Sequence, residues 1–138
     1  MRHLAFDSDV LIYATSETHP YAPVLRSALF AVPPLTHSGS VLLYPELLSK
    51  PMRTGQTHDL AVLRGYLGRL MLVDIGREVA LMATELAAAY RLKAPDALHL
   101  ACAVHTGADA FVTNNRKDFK QAEILELQVL YPEEVGEG

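Results

Sequence analysis

The 138-residue chain has a single cysteine, no tryptophan and no excess of positive charge. One cysteine, Cys102, cannot form an internal disulfide, and its apolar neighbours indicate a small buried residue. No apolar run approaches the roughly 20 residues of a membrane span. The formal net charge of -4 argues against a simple electrostatic nucleic-acid binder. It does not argue against an enzyme that acts on nucleic acid, because a cluster of acids around a cation also makes the sum negative.

Half of the residues are hydrophobic, which is enough for a core in one domain of ordinary size. We find no internal repeat, no low-complexity run and no linker, and we therefore expect a single domain over residues 1–138. The N-terminus runs straight into strand-like sequence, without a charged segment followed by a long apolar one. We therefore expect no signal peptide and a cytoplasmic location.

Strand-like and helix-like segments alternate along the chain. The clearest helix is predicted over 77–90, where apolar residues recur at the spacing of one helical face. Other helices are predicted over 10–14, 22–30, 40–49 (broken by Pro51), 58–67 and 96–105. Strands are predicted over 4–6, 34–37, 70–75, 110–113 and 128–130. This alternation is typical of an α/β fold in which helices cover both faces of a parallel sheet.

The stretch LAFDSDVLIYA, residues 4–14, places two acids at the end of the first strand. Asp9 precedes an apolar helical segment and is well placed to cap it. Asp7 follows the buried strand directly, where an unpaired carboxylate is costly. Glu46 interrupts an apolar helix face, which indicates either a buried ion pair or a metal ligand.

Two later segments add polar groups. Asp96 follows Pro95 in the first turn of a helix, where the helix dipole alone favours an acid. His99 lies three residues further on and is more typical of a packing or hydrogen-bonding residue than of a ligand. The segment FVTNNRKDF, residues 111–119, places Thr113 and Asp118 after the fourth strand, although such a cluster is also typical of a turn.

Taken together, these acids follow or begin different elements around one crevice. In open parallel sheets, ligands bind at the carboxyl ends of the strands, where Asp7 and Thr113 are expected. Neighbouring carboxylates repel one another unless a cation lies among them. Hard divalent cations such as Mg²⁺ take oxygen ligands and can activate water for attack on a phosphodiester.

Four motifs in order, LAFDSDVLIYA, VLLYPELL, KAPDALHLACA and FVTNNRKDF, resemble the PIN-domain ribonucleases, in particular the VapC-like toxins of toxin–antitoxin pairs. The motifs run from residue 4 to residue 119. The resemblance implies a three-layer α/β/α sandwich with a central parallel sheet of four to five strands. It also implies a Mg²⁺- or Mn²⁺-dependent endoribonuclease with an RNA substrate, a small antitoxin partner and a homodimer.

The resemblance also implies roles for particular residues. Its catalytic and metal-binding acids would be Asp7, Glu46, Asp96 and Asp118. Thr113 is similar to the family's hydroxyl near the metal-bound water. The family often has aspartate where this chain has Asn115, which puts a second metal site in doubt. Secondary contributors would be Asn115 and Asp9, and the cations that flank the cleft and could contact RNA phosphates are Arg116, Lys117 and Lys120.

Two alternatives remain open from the sequence. FDSDV and FVTNN also resemble the motifs of haloacid-dehalogenase-like phosphatases, in which Asp7 would be the nucleophile. The 25 residues that follow Thr113 offer no strand ending in paired aspartates, which those enzymes need. The second alternative is a non-catalytic PIN-fold binding module whose acids are only caps and ion pairs.

Overall fold

The structure, a computed structural model, describes residues 2–136. Five strands lie in this region: β1 (Leu4–Phe6), β2 (Ser38–Ser40), β3 (Met71–Val73), β4 (Ala110–Val112) and β5 (Gln128–Leu130). Six helices alternate with them: α1 (Ser8–Thr15), α2 (Ala22–Phe30), α3 (Leu43–Thr54), α4 (Thr57–Arg69), α5 (Arg77–Tyr90) and α6 (Ala94–His105). A 3-10 turn over Pro132–Glu134 follows β5. None of the helices between residues 2 and 136 has the length and apolarity that crossing a membrane requires.

All strand pairs in the sheet are parallel, and the strand order is β3-β2-β1-β4-β5. The chain builds outwards from β1 to β3 and then crosses to the other side of β1 for β4 and β5. This reversal makes the carboxyl ends of β1 and β4 the topological switch point, where open α/β sheets bind ligands. Asp7 and Thr113 are the first residues after these two strands.

Side chains alternate between the two faces of the sheet, as the geometry of a strand requires. Leu4, Phe6 and Val112 pack in one core cluster with α1, α2, α3 and α4. Ala5 and Phe111 pack in a second cluster with α5 and α6. Complete burial of a phenylalanine such as Phe6 or Phe111 stabilises the fold by roughly 1.5–3 kcal/mol. The predicted three-layer α/β/α sandwich with a parallel sheet is confirmed.

The second strand lies further along the chain than the sequence indicated. The prediction of a strand over 34–37 is wrong, because β2 is Ser38–Ser40. Leu35 has a φ of 68° in the left-handed region, and its N–H donates to the carbonyl of Arg69, so this segment turns. Close packing against α3 explains the small residue at the centre of β2. A Cβ on Gly39 would lie 2.4 Å from Cδ1 of Leu43, so a larger residue fits there only if the Leu43 side chain moves.

The third helix also differs from its prediction. It was expected over 40–49 with a break at Pro51, but α3 spans Leu43–Thr54 and contains Pro51 in its interior. A proline removes one hydrogen bond of the helix ladder, yet Pro51 is buried and the helix continues past it. The helix ends at Gly55, which has a φ of 69° and serves as the left-handed C-cap.

Helices α3 and α4 pack against each other within the chain. Leu43, Leu47, Leu63 and Leu67 are buried in the same core cluster. The apolar segments 41–48 and 60–67 could have covered each other between subunits, but these leucines are already buried within one chain. The homodimer therefore stays a prediction, without support from these two segments.

Candidate active site

Asp7 lies directly after β1 and is only 5% exposed. Two donors hold its carboxylate: the Ser8 N–H donates to Oδ1 at 2.8 Å, and the Thr113 hydroxyl donates to Oδ2 at 2.8 Å. The Asp7 N–H in turn donates to the carbonyl of Val112 at 2.9 Å, which ties it to the end of β4. These contacts satisfy a buried carboxylate that would otherwise be costly and fix its position at the switch point.

Thr113 connects Asp7 to the loop that follows β4. Its side chain is completely buried. While its hydroxyl donates to Asp7, the oxygen accepts the backbone N–H of Asn115 at 3.0 Å. A hydroxyl can donate one hydrogen bond and accept two, so both interactions form together. Thr113 therefore links the end of β1 to the backbone of the loop.

Asp9 is not the helix cap that the sequence indicated. The N-cap of α1 is Asp7, and Asp9 lies in the first turn of the helix. Its Oδ2 accepts the backbone N–H of Asn114 at 3.0 Å, while its buried Oδ1 has no hydrogen-bond partner in the part of the chain that the structure describes. Burial, followed by repulsion from Asp7, raises the pKa of Asp9 to about 7. Asp9 thus ties α1 to the loop and titrates near neutral pH.

Asp96 lies in the first turn of α6, where Pro95 costs no hydrogen bond and the helix dipole favours an acid. Its side chain is half-buried and accepts no hydrogen bond from any residue between 2 and 136. Burial raises the pKa of Asp96, and the charges of Asp7 and Asp118 raise it further. Asp96 is therefore close enough to both Asp7 and Asp118 for their charges to repel its own.

Glu46 and His99 form a hydrogen-bonded pair, with 2.5 Å between Oε1 and Nε2. The His99 side chain is 2% exposed and that of Glu46 is 31% exposed. Burial lowers the pKa of His99, but the hydrogen bond to Glu46 and the nearby charges of Asp7, Glu46 and Asp96 outweigh it, so the pKa is raised overall. Glu46 therefore has the partner that its ion-pair alternative requires, and His99 is a hydrogen-bonding residue. Metal binding by Glu46 stays a prediction.

Asn115 holds Asp118 in place. Its Nδ2 donates to Oδ2 of Asp118 at 3.1 Å, and its Oδ1 accepts the Asp118 N–H at 3.4 Å. An aspartate at position 115 would have no side-chain N–H to donate and would repel Asp118. In this chain Asn115 therefore positions an acid.

The four acids reach the site from four different elements: Asp7 after β1, Glu46 on α3, Asp96 on α6 and Asp118 after β4. Within residues 2–136, no three acidic, histidine or cysteine side chains are already gathered around one point as metal ligands. The donor set nevertheless fits a hard divalent cation, since it consists of carboxylate oxygens. A cation would also relieve the repulsion that raises the pKa of Asp96. Because Mg²⁺ keeps part of its water shell, a few protein oxygens are sufficient.

The three predicted phosphate contacts have different surroundings. Arg116 makes two contacts of 2.6 Å with Glu133, and its guanidinium lies 4.4 Å from the ring centre of Tyr131. This pairing competes with any RNA phosphate for the guanidinium. Lys117 and Lys120 instead line a cavity beside Asp118. No sequence pattern indicates the Arg116–Glu133 pair, because a spacing of 17 residues across β5 follows no helical or strand period.

Fold and site together define an α/β/α protein with an acidic crevice at the carboxyl edge of a parallel sheet. The sequence profile of the PIN domain matches residues 4–125. The chain belongs to the PIN domain family, and the resemblance seen in its motifs is confirmed. The match includes FDSDV and FVTNN, so the two motifs behind the phosphatase alternative are parts of a PIN domain.

Solved structures similar to this one include a toxin–antitoxin complex and VapBC structures. A toxin–antitoxin complex from Klebsiella pneumoniae has a chain with 28% identity and a TM-score of 0.73, and the alignment covers 94% of this chain and 97% of that one. VapBC2 from Rickettsia felis, bound to a promoter DNA fragment, has 20% identity and a TM-score of 0.68, and the alignment covers 93% of this chain and 97% of that one. DNA-bound VapBC from Salmonella typhimurium has 17% identity and a TM-score of 0.73, with 96% of this chain and 99% of that one covered. The last two show the fold alone, and no curated protein sequence matches the chain.

Proposed function

We propose that this protein is a divalent-metal-dependent endoribonuclease and the toxin of a toxin–antitoxin pair. One observation carries the proposal: in a chain of a nuclease family, Asp96 lies close enough to Asp7 and Asp118 for both charges to raise its pKa. Repelling carboxylates at a ligand-binding edge of the sheet are stable only if something offsets their charge. A divalent cation is the ligand that does so and also serves phosphodiester hydrolysis.

Asp7, Asp96 and Asp118 would hold the cation. When bound, it supplies a Lewis acid for the phosphate and lowers the pKa of a water molecule. Thr113 keeps the Asp7 carboxylate in one orientation, and Asn115 does the same for Asp118. These two neutral side chains position ligands, because neither is free to turn away from the acid that it contacts.

Glu46 would orient the attacking water. Its other oxygen, Oε2, is not part of the contact with His99, and the side chain is partly open to solvent. In the reaction, the water oxygen bonds to phosphorus, the bond from phosphorus to the 3′ oxygen breaks, and that oxygen leaves as a hydroxyl. The other product end is a 5′-phosphate. Attack by the ribose 2′-hydroxyl would give a cyclic phosphate instead.

The toxin assignment is supported by the similar structures, which include a toxin–antitoxin complex and three VapBC structures. We therefore propose a small antitoxin partner for this chain. A homodimer and a cytoplasmic location are part of the same proposal. Light scattering of the purified chain tests the dimer, and a mass of one subunit at micromolar concentration would contradict it.

End-group analysis of the cleaved RNA tests the chemistry. We expect wild-type protein with Mn²⁺ to leave 3′-hydroxyl and 5′-phosphate ends, and we expect EDTA to abolish cleavage. Near-isosteric removal of charge in Asp7→Asn, Glu46→Gln and Asp96→Asn should abolish cleavage while circular dichroism shows a folded protein. Cyclic phosphate ends, or cleavage that persists in EDTA, would overturn the proposal.

A further inference from the structure

A cavity of about 320 Å³ opens between the C-terminal end of α5 and the loop that follows β4. Three cations line it: Arg91 from the end of α5, and Lys117 and Lys120 from the loop. Asp118, one of the proposed cation-binding acids, forms part of the same wall. The volume lies at the lower end of the range for small-ligand pockets. The cavity therefore adjoins the acidic site and differs from it in charge.

The three cations have no anionic partner in the part of the chain that the structure describes. None of their side chains makes a hydrogen bond or ion pair with any residue between 2 and 136. The remaining anions of the lining are Glu123 and Asp118, and Asp118 is held by Asn115. Unpaired like charges around one cavity repel, and a bound anion would relieve that repulsion. This local excess of positive charge occurs in a chain with a formal net charge of -4.

Arg91 occupies a backbone position that favours glycine. It is the C-cap of α5, with a φ of 57° and a ψ of 41° in the left-handed region. Helices that end this way usually have glycine or asparagine there, because a Cβ makes the conformation strained. A cation near a helix C-terminus is also favourable for electrostatic reasons alone. Arg91→Gly removes both the backbone strain and the charge. Its effect on stability can therefore be compared with its effect on binding.

We propose that this cavity binds a backbone phosphate of the RNA strand, adjacent to the phosphate that is cleaved. Arg91, Lys117 and Lys120 contact it, and the shared wall at Asp118 sets its position relative to the acidic site. Ammonium and guanidinium groups recognise phosphate without reading the base, so the contacts position the strand and do not select its sequence. This inference rests on the proposed function, because it takes RNA as the substrate.

Binding of a labelled single-stranded RNA oligonucleotide, measured by fluorescence anisotropy in EDTA, tests the cavity without cleavage. For Arg91→Gly we expect weaker binding, together with a melting temperature equal to or above that of wild type. The slope of log affinity against log salt should fall by about 0.7 for the lost phosphate contact. Arg91→Lys should keep most of the affinity, and Lys117→Ala should weaken binding independently of the Arg91 backbone.

Arg64 provides a matched control, since it is exposed on α4, on the opposite face of the sheet. Arg64→Ala should bind RNA as wild type does. Unchanged affinity and salt slope in Arg91→Gly and Lys117→Ala, or an equal loss in Arg64→Ala, would overturn the inference. A parallel assay with Mn²⁺ separates the two proposals. If the protein cleaves RNA but the cation variants bind it as wild type does, only the cavity proposal is overturned. If the cation variants bind RNA more weakly but wild type does not cleave it, only the nuclease proposal is overturned.

Discussion

The hydroxyl of Thr113 donates to the carboxylate of Asp7 at 2.8 Å, across a separation of 106 residues in the chain. Both residues are buried and each is the first residue after its strand. The parallel pairing of β1 with β4 brings the two strand ends to one edge of the sheet. The orientation of the first acid therefore depends on a residue near the other end of the fold.

We predict that Thr113→Val destabilises the fold by about 1–3 kcal/mol, because it leaves Oδ2 of the buried Asp7 carboxylate without its donor at nearly constant shape. RNA cleavage should fall as well, since the carboxylate loses its fixed orientation. Chemical denaturation and a cleavage assay measure the two effects. Thr113→Ser keeps the hydroxyl and is the control. Equal losses of cleavage in the serine and valine variants would show that the hydrogen bond is not responsible.

The raised pKa of Asp9 predicts a pH dependence of stability. The pKa of its carboxyl is about 7 in the folded protein, against 3.8 for an unperturbed aspartate. Between these values the folded protein holds a proton that the unfolded chain has lost, so the free energy of unfolding falls as the pH rises from about 4 through 7.

The variant Asp9→Asn cannot titrate and should lack this contribution. Its stability relative to wild type should therefore increase as the pH rises through this window, whatever constant offset the new amide adds. Chemical denaturation at a series of pH values in EDTA measures the difference. A stability difference that stays constant from pH 4 to pH 8 would contradict the burial of a titrating carboxyl at this position.

Much of the fold is predictable because local pattern and packing agree. The helix over Arg77–Tyr90 has the bounds that its apolar period predicts, since one face of it is buried against α6. The strand Ser38–Ser40 was missed because its three small residues carry no strand pattern. They are buried because β1 and β3 flank them, which only the assembled sheet determines.

The roles of the two acids at the first strand show a similar limit. Sequence spacing favoured Asp9 as the helix cap, because it directly precedes an apolar run. In the structure Asp7 is the cap, and Asp9 accepts from the backbone of Asn114, 105 residues away. The types of residue at the site were predictable from the motifs, whereas their partners depend on which loops the sheet brings together.

Removal of one of the repelling acids should stabilise the metal-free protein. Asp96 has a pKa raised by burial and by the charges of Asp7 and Asp118. We therefore predict that Asp96→Asn melts at a higher temperature than wild type in EDTA. Mn²⁺ should raise the melting temperature of wild type. At a Mn²⁺ concentration of a hundred times the dissociation constant, the free energy of unfolding should increase by about 2.7 kcal/mol. Asp96→Asn should lose most of this Mn²⁺-induced shift. A full shift in Asp96→Asn would show that Asp96 is not a ligand of the cation.

The pair formed by Glu46 and His99 predicts a change in titration that NMR can follow. Burial lowers the pKa of His99, and the contact with Glu46 contributes to the opposite, larger effect. Glu46→Gln keeps an acceptor but removes the charge, so the pKa of the His99 ring should fall. Stability from the protonated pair is complete below the unfolded value of 6.5 and is lost as the pH rises through the folded pKa. An unchanged His99 titration in the variant would show that the pair carries no charge interaction.

The most direct measurement is the rate of RNA cleavage by wild type and by Asp96→Asn at saturating Mn²⁺. Glu85→Gln is the control, because it removes one negative charge from an exposed position on α5. If carboxylates at the switch point hold the cation that serves hydrolysis, wild type and Glu85→Gln cleave at equal rates. Asp96→Asn then remains folded and inactive. Cleavage by Asp96→Asn at the wild-type rate would contradict a cation-dependent nuclease site at this edge of the sheet.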